Sequence, residues 1–157
     1  MESPTLGHLT FDQTITALIK YTEFAKDDTY KIIVGTDSTS RTNGKNTTDY
    51  VTALVIHRIG KGGIYFWEKV SQPKAHSLRQ RMYEEALISL DFARKLLDKL
   101  NKVKPQELEI EIHVDVGQVG DTREIINEIV GMVKGNGFNV KTKPEAYGAS
   151  NVADRYT

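Results

Sequence analysis

Three short stretches of this 157-residue chain each close an apolar run on one carboxylate. They are Ile32-Ile33-Val34-Gly35-Thr36-Asp37, Ile110-Glu111-Ile112-His113-Val114-Asp115 and the tail Asn151-Val152-Ala153-Asp154. Between the first two lies an amphipathic stretch that carries Glu85. Aspartates at strand ends, with a glutamate on an intervening helix, are how an α/β fold gathers acids around divalent metal ions. Like charges held close together are unfavourable unless a cation or a proton resolves them. The chain has no cysteine, so the donors are all oxygen, a set that suits Mg²⁺ or Mn²⁺. Each acid alone has a plainer reading. Asp37 before Ser38 also fits a strand-ending turn, as does Asp115 before Val116-Gly117. The order Asp-Glu-Asp-Asp on strand, helix, strand and helix is the specific signal.

The elements that must position these acids follow from periodicity. Thr10-Phe11-Asp12-Gln13 matches a capping box, and Phe11, Ile15, Leu18, Ile19 and Thr22 recur at helical spacing. A first helix over about 10–26 results. Tyr30 to Thr36 is short and β-branched, a strand buried on both faces. Ser38 to Thr48, with Asn43-Gly44, is expected to be a loop or hairpin connection. Tyr50 to Ile59 and Ile64 to Val70 form two strands joined by Gly60-Lys61-Gly62-Gly63, a tight turn in which glycine supplies positive φ. From Ser77 to Asn101, Leu78, Met82, Ala86, Ser89, Ala93, Leu96, Leu97 and Leu100 fall on one helical face, and Lys104-Pro105 ends the helix. Leu108 to Val116 alternates at strand period. Asp121-Thr122-Arg123-Glu124 caps a helix carrying Ile125, Ile129, Met132 and Val133, which stops near Gly135-Asn136-Gly137. Phe138 to Thr142 is a fifth strand, and Ala149 to Tyr156 begins a last helix.

The order α-β-β-β-α-β-α-β-α implies an α/β fold. Its mixed five-stranded sheet has three antiparallel strands, then two parallel ones, with helices on both faces. The first strand is central, so the strands ending on Asp37 and Asp115 are parallel neighbours, their side chains about 5 Å apart beyond the carboxyl ends. Glu85 sits at the edge of the long helix's apolar stripe. Glu84 projects nearly opposite that stripe and reads as a solvated charge. Asp121 fits a helix cap better than a ligand, and His113 reads as a solvent-facing or otherwise satisfied histidine.

Composition sets bounds. The length suits one domain, 1–157, with a sizeable core. Lys+Arg and Asp+Glu both total 21, so no global field advertises a polyanionic partner. Locally, Lys69 to Arg81 holds Lys69, Lys74, His76, Arg79 and Arg81 without an acid, either a phosphate-facing rim or a solvated loop and helix start. No run approaches the roughly 18 apolar residues that span a membrane, and no secretory leader pattern opens the chain. The expectation is a cytoplasmic protein without a membrane partner.

The chain resembles the ribonuclease H-like superfamily and, within it, a small bacterial family of uncharacterised proteins of the YkuK type. The matching pieces are Gly35-Thr36-Asp37-Ser38, Ile59-Gly60-Lys61-Gly62, Ser77-Leu78 leading to Glu85, His113-Val114-Asp115-Val116-Gly117, and Lys143-Pro144-Glu145-Ala146-Tyr147 through Ala153-Asp154-Arg155-Tyr156-Thr157. The resemblance implies that superfamily's fold, with acidic metal ligands at Asp37, Glu85, Asp115 and Asp154. It implies no settled substrate, and the strongly basic extension that some such ribonucleases use is missing.

The leading expectation is a metal-dependent phosphodiesterase acting on RNA, an RNA–DNA hybrid or a structured, branched DNA, with two ions roughly 3.5–4 Å apart. Lys74, Arg79 and Arg81, with Arg41 and Lys45 from the first loop, would grip the phosphate backbone. The alternative is a non-catalytic nucleic-acid or protein-binding module on the same fold, which neutral net charge favours. A third reading takes Gly35 to Ser40 as a phosphate-binding hairpin of the actin and hexokinase type. Those proteins clasp nucleotide between two such domains, and this chain has room for one.

Overall fold

The computed structural model describes residues 1–41, 46–103, 108–116 and 123–157. The first helix, α1 (Phe11–Phe24), starts as its capping box requires. The Gln13 amide donates to the Thr10 hydroxyl at 3.2 Å, and the Thr10 amide donates to the Gln13 side chain at 2.8 Å. Ahead of it come two strands of two residues each, β1 (Glu2–Ser3) and β2 (Gly7–His8). After it follow β3 (Tyr30–Arg41), β4 (Thr47–Arg58), β5 (Gly62–Pro73), α2 (Leu78–Val103), β6 (Ile110–Val114), α3 (Arg123–Gly135), β7 (Asn139–Thr142) and α4 (Gly148–Tyr156).

The strands form one sheet in the order β2-β1-β5-β4-β3-β6-β7. The five expected strands are all present, β3 is central, and β3, β6 and β7 run parallel. The expected five-stranded sheet becomes one of seven because β1 and β2 add a short ribbon beyond β5, tied where Glu2 faces Trp67. Two-residue strands carry too few side chains to show a period, so the sequence pattern does not reveal them.

A larger departure concerns 38–48, expected to be a loop. β3 runs on to Arg41, paired with β4 residue for residue from Tyr30↔Arg58 to Arg41↔Thr47. Its distal half is polar yet largely buried, with Thr36 3% exposed and Ser38 9%. Serine and threonine support a strand when their hydroxyls find partners across it. Here Thr36 pairs with the Thr52 hydroxyl at 3.0 Å and accepts from Ser89 of α2 at 2.8 Å. Gly35 to Ser40 is therefore strand interior. Asn43-Gly44 and Lys45, like Pro105, Gly117 and Asp121, lie outside the described residues.

Packing divides the sheet into unequal faces. Helices α1, α2 and α3 cover one face, over a core that includes Leu18, Ile32, Val34, Leu54, Phe66, Leu96, Ile112 and Ile129. The nine-residue α4 covers the other face with small residues, Ala149 and Ala153 against Ile33, Val51 and Ala53. Gly35 permits that approach: a Cβ there would stand 2.9 Å from the Ala149 Cβ and 3.0 Å from the His113 carbonyl oxygen. The outer end of α4 is fastened by Tyr156, stacked on Trp67 with ring centroids 4.3 Å apart and planes 13° from parallel. The β4–β5 turn behaves as expected, with Gly60 and Gly62 at φ of +74° and +87°. Among the described residues no helix is long and apolar enough to cross a membrane.

Candidate carboxylate site and family

The registers of the parallel strands explain how distant acids meet. β3 and β6 pair from Ile32↔Ile110 to Gly35↔His113. Continued by two residues, that register sets Asp37 level with Asp115. β6 ends at Val114 while β3 runs to Arg41, so beyond this level one flank of β3 is left open. α2 passes over the opening and supplies Glu85. Asp37, Glu85 and Asp115 line one open cleft of about 310 Å³ with Leu78, Arg81, Met82 and Val116. A neighbouring recess of about 230 Å³ shares Leu78 and Arg81 and adds Ser40, Ala75, His76 and Ser77.

Glu85 is buried at 7% exposure, and the Ser38 hydroxyl donates to its Oε1 at 2.5 Å. Burial pushes its carboxyl up to about 7, and the charges of Asp37 and Asp115 push the same way against Ser38 and Arg81. Asp37 is also raised, chiefly by burial and then by Asp115 and Asp154. Both shifts come first from burial, which disfavours the charged form, and neighbouring acids add to it. Asp115 is met by the ammonium of Lys143, 2.5 Å from its Oδ1. Asp154, on α4, is exposed; it acts on Asp37 through its charge and does not line the cleft.

Two of the expected phosphate-gripping residues do not line the cleft, and the side chains of two more lie outside the described residues. Arg79 turns to α3, its guanidinium 3.0 Å from Glu128, and does not line either cavity. Lys74 is tied by its backbone to Asn46 at 2.9 Å and lies outside both cavities. Arg41 ends β3, its side chain beyond the described residues, as is the whole of Lys45. Arg81 alone faces both cavities, half-buried and, among the described residues, without an ion-pair partner.

Two readings of single residues need correction. Glu84 is not a solvated charge: it is half-buried and accepts from the hydroxyl of Tyr50, itself 1% exposed. The helical wheel missed this because the partner comes from β4. His113 is 3% exposed, with Nε2 2.8 Å from Glu111 and a buried Nδ1 that has no partner among the described residues. It lies under α4 rather than at the cleft. Pattern reading also overlooked Ser38 and Lys143 as groups that hold the acids.

Among the described residues, no three histidine, aspartate or glutamate side chains are arranged as a group that could hold a metal ion as they stand. The donor set still suits a hard divalent cation in kind. It is all oxygen and open on one side, and Asp37 and Glu85 are raised first by burial and then by neighbouring acids. Asp37, Glu85 and Asp115 would hold such an ion, with Asp154 adding negative charge from α4.

The model of the ribonuclease H-like family matches residues 13–157, and the chain belongs to that family. A relative with 30% identity over 163 residues is the uncharacterized protein YkuK of Bacillus subtilis (strain 168), with 96% of this chain and 92% of that protein aligned. Among solved structures, the N-terminal RNase H domain of rv2228c from Mycobacterium tuberculosis is similar at 15% identity and a TM-score of 0.38, covering 81% of this chain and 96% of that one. Endonuclease V of Ciona intestinalis, solved with a DNA containing an inosine, is similar at 12% identity and 0.41, covering 92% of this chain and 66% of that one. Neither likeness is strong enough to carry chemistry across.

Proposed function

We propose that this protein hydrolyses phosphodiester bonds in RNA, an RNA–DNA hybrid or a structured DNA, using Mg²⁺ or Mn²⁺ held by Asp37, Glu85 and Asp115. The observation that carries the reading is that Asp37, Glu85 and Asp115 line one cleft, where β3 and β6 run parallel. Membership of the ribonuclease H-like family supports it. A divalent ion bound there supplies Lewis acidity and a water of lowered pKa. The chain's own residues do the rest. Ser38 fixes the Glu85 carboxylate by its hydrogen bond. Arg81, with no competing ion pair among the described residues, offers a planar fork to a backbone phosphate entering along the recess at the start of α2. Asp154 adds negative charge from α4 without lining the cleft. The test is cleavage of end-labelled hybrid, RNA and branched DNA with Mg²⁺ or Mn²⁺. Activity in the wild type and its loss in Asp37→Asn is the expected outcome; equal activity in both proteins overturns the reading.

A second reading, a non-catalytic nucleic-acid or protein-binding module, is favoured by one observation. Among the described residues the acids are not arranged as a group that could hold a metal ion as they stand, and Asp115 already carries Lys143. It predicts no calorimetric signal at millimolar Mn²⁺ and unchanged partner binding in Asp115→Asn.

A further inference from the structure

The register that aligns Asp37 with Asp115 continues one strand further. β6 and β7 pair from Glu111↔Asn139 to Val114↔Thr142, and one more residue sets Asp115 beside Lys143. Asp115 and Lys143, each just past the end of its strand, are thus set level with Asp37 in the interior of β3. The Lys143 amide donates to the Val116 carbonyl at 3.2 Å, which extends the β6–β7 contact past the last ladder pair. The Glu145 and Ala146 amides close the following turn on the Thr142 carbonyl at 2.9 and 3.0 Å. The backbone therefore fixes where the lysine starts. Its side chain is 57% exposed, whereas the carboxylate it reaches is 20% exposed. Lys143 does not line the cleft, so it approaches Asp115 from the β7 side, away from Arg81.

Resting on the metal reading above, we infer that Lys143 is a tethered counter-ion that occupies Asp115 in the metal-free protein and gives that carboxylate up when a divalent ion binds. One positive charge faces Asp115, with Asp37 and Asp154 also within its electrostatic reach. A single ammonium offsets only part of that charge, which leaves the cluster able to draw in a doubly charged ion. On release the half-exposed ammonium regains its hydration shell, and the divalent ion takes over the largely buried carboxylate that it leaves. Lys141, two residues earlier, makes a useful contrast. It bears the same charge but pairs with Glu145 of its own turn at 3.0 Å.

The experiment is a calorimetric titration with Mn²⁺ of the wild type, Lys143→Gln, Lys143→Arg and Lys141→Gln, together with melting of each protein in EDTA and in saturating Mn²⁺. Lys143→Gln is expected to bind Mn²⁺ about tenfold more tightly than wild type. Lys143→Arg is expected to bind no more tightly than wild type, because its fork grips a carboxylate at least as well. Lys141→Gln is expected to match wild type. In EDTA, Lys143→Gln melts below wild type, and the gap closes with Mn²⁺. If Lys143→Gln and wild type bind Mn²⁺ equally, or if Lys141→Gln gains as much as Lys143→Gln, the role assigned to Lys143 is wrong while the metal site stands. If none of the four proteins binds Mn²⁺, the metal reading falls and this inference with it.

Discussion

The two halves of β3 face different demands. From Ile32 to Gly35 the strand has neighbours on both sides, β4 and β6, and its side chains are sealed between α2 and α4. From Thr36 to Arg41 it keeps β4 but has outrun β6, and its residues are four hydroxyls, one carboxylate and a terminal arginine. The first half is built for burial and the second for a site. Where a strand loses one neighbour, polar groups can reach an open cleft while the backbone stays braced on the other side. Stability and chemistry should accordingly separate along one strand and its partners.

The largest expected effect tests the distal half. Asp37→Asn or Asp115→Asn should lower hydrolysis by roughly 10³-fold, the scale of several kcal/mol of lost charge stabilisation, while in Asp37→Asn the melting temperature stays level or rises as repulsion is relieved. A mutant that loses activity only by unfolding would break the comparison. In the proximal layer, Ile112→Ala removes a fully buried side chain and should cost about 2–5 kcal/mol in urea unfolding, with turnover per folded molecule unchanged.

Next in size is a pH effect. The folded pKa of Glu85, about 7, lies above its ordinary value of 4.5, so the folded protein binds more protons than the unfolded chain across that window. Stability of the metal-free protein should therefore be greatest below about pH 4.5 as far as this group is concerned. It should fall as pH rises to about 7, by up to about 3 kcal/mol. Glu85→Gln should flatten that slope in denaturant titrations run at several pH values. An unchanged slope would place the burden on other groups. Gly35→Ala should push α4 outward, costing about 1–3 kcal/mol, read by thermal melting. The smallest effect belongs to Ser38→Ala. It removes a hydrogen bond that favours the charged carboxylate, so Mn²⁺ affinity should weaken by about tenfold or somewhat more.

The proximal half was legible in the sequence because apolar β-branched residues announce a strand wherever they occur. The capping box, the long apolar stripe of α2 and the parallel placement of the strands that carry Asp37 and lead to Asp115 follow from the same local rules. The distal half was not legible. Ser38, Thr39 and Ser40 look like loop, and only the hydroxyl partners on β4 and α2 make them strand. Glu84 was misread for a related reason, since Tyr50 lies 34 positions away. Lys143 is visible only once two strand registers are known, because nothing in Thr142-Lys143-Pro144 points toward Asp115. What periodicity reports is which face a residue occupies; what it omits is the partner that arrives from another element.

The stacking of Tyr156 on Trp67 has a practical consequence. Trp67 is the only tryptophan in the chain, so its ultraviolet emission comes from a single ring pressed against α4. If α4 lifts from the sheet, that ring gains water and its emission moves to longer wavelength, while the helix that carries Asp154 departs. The molecule thus contains its own optical gauge of whether the fourth acid is in place, readable without any added label.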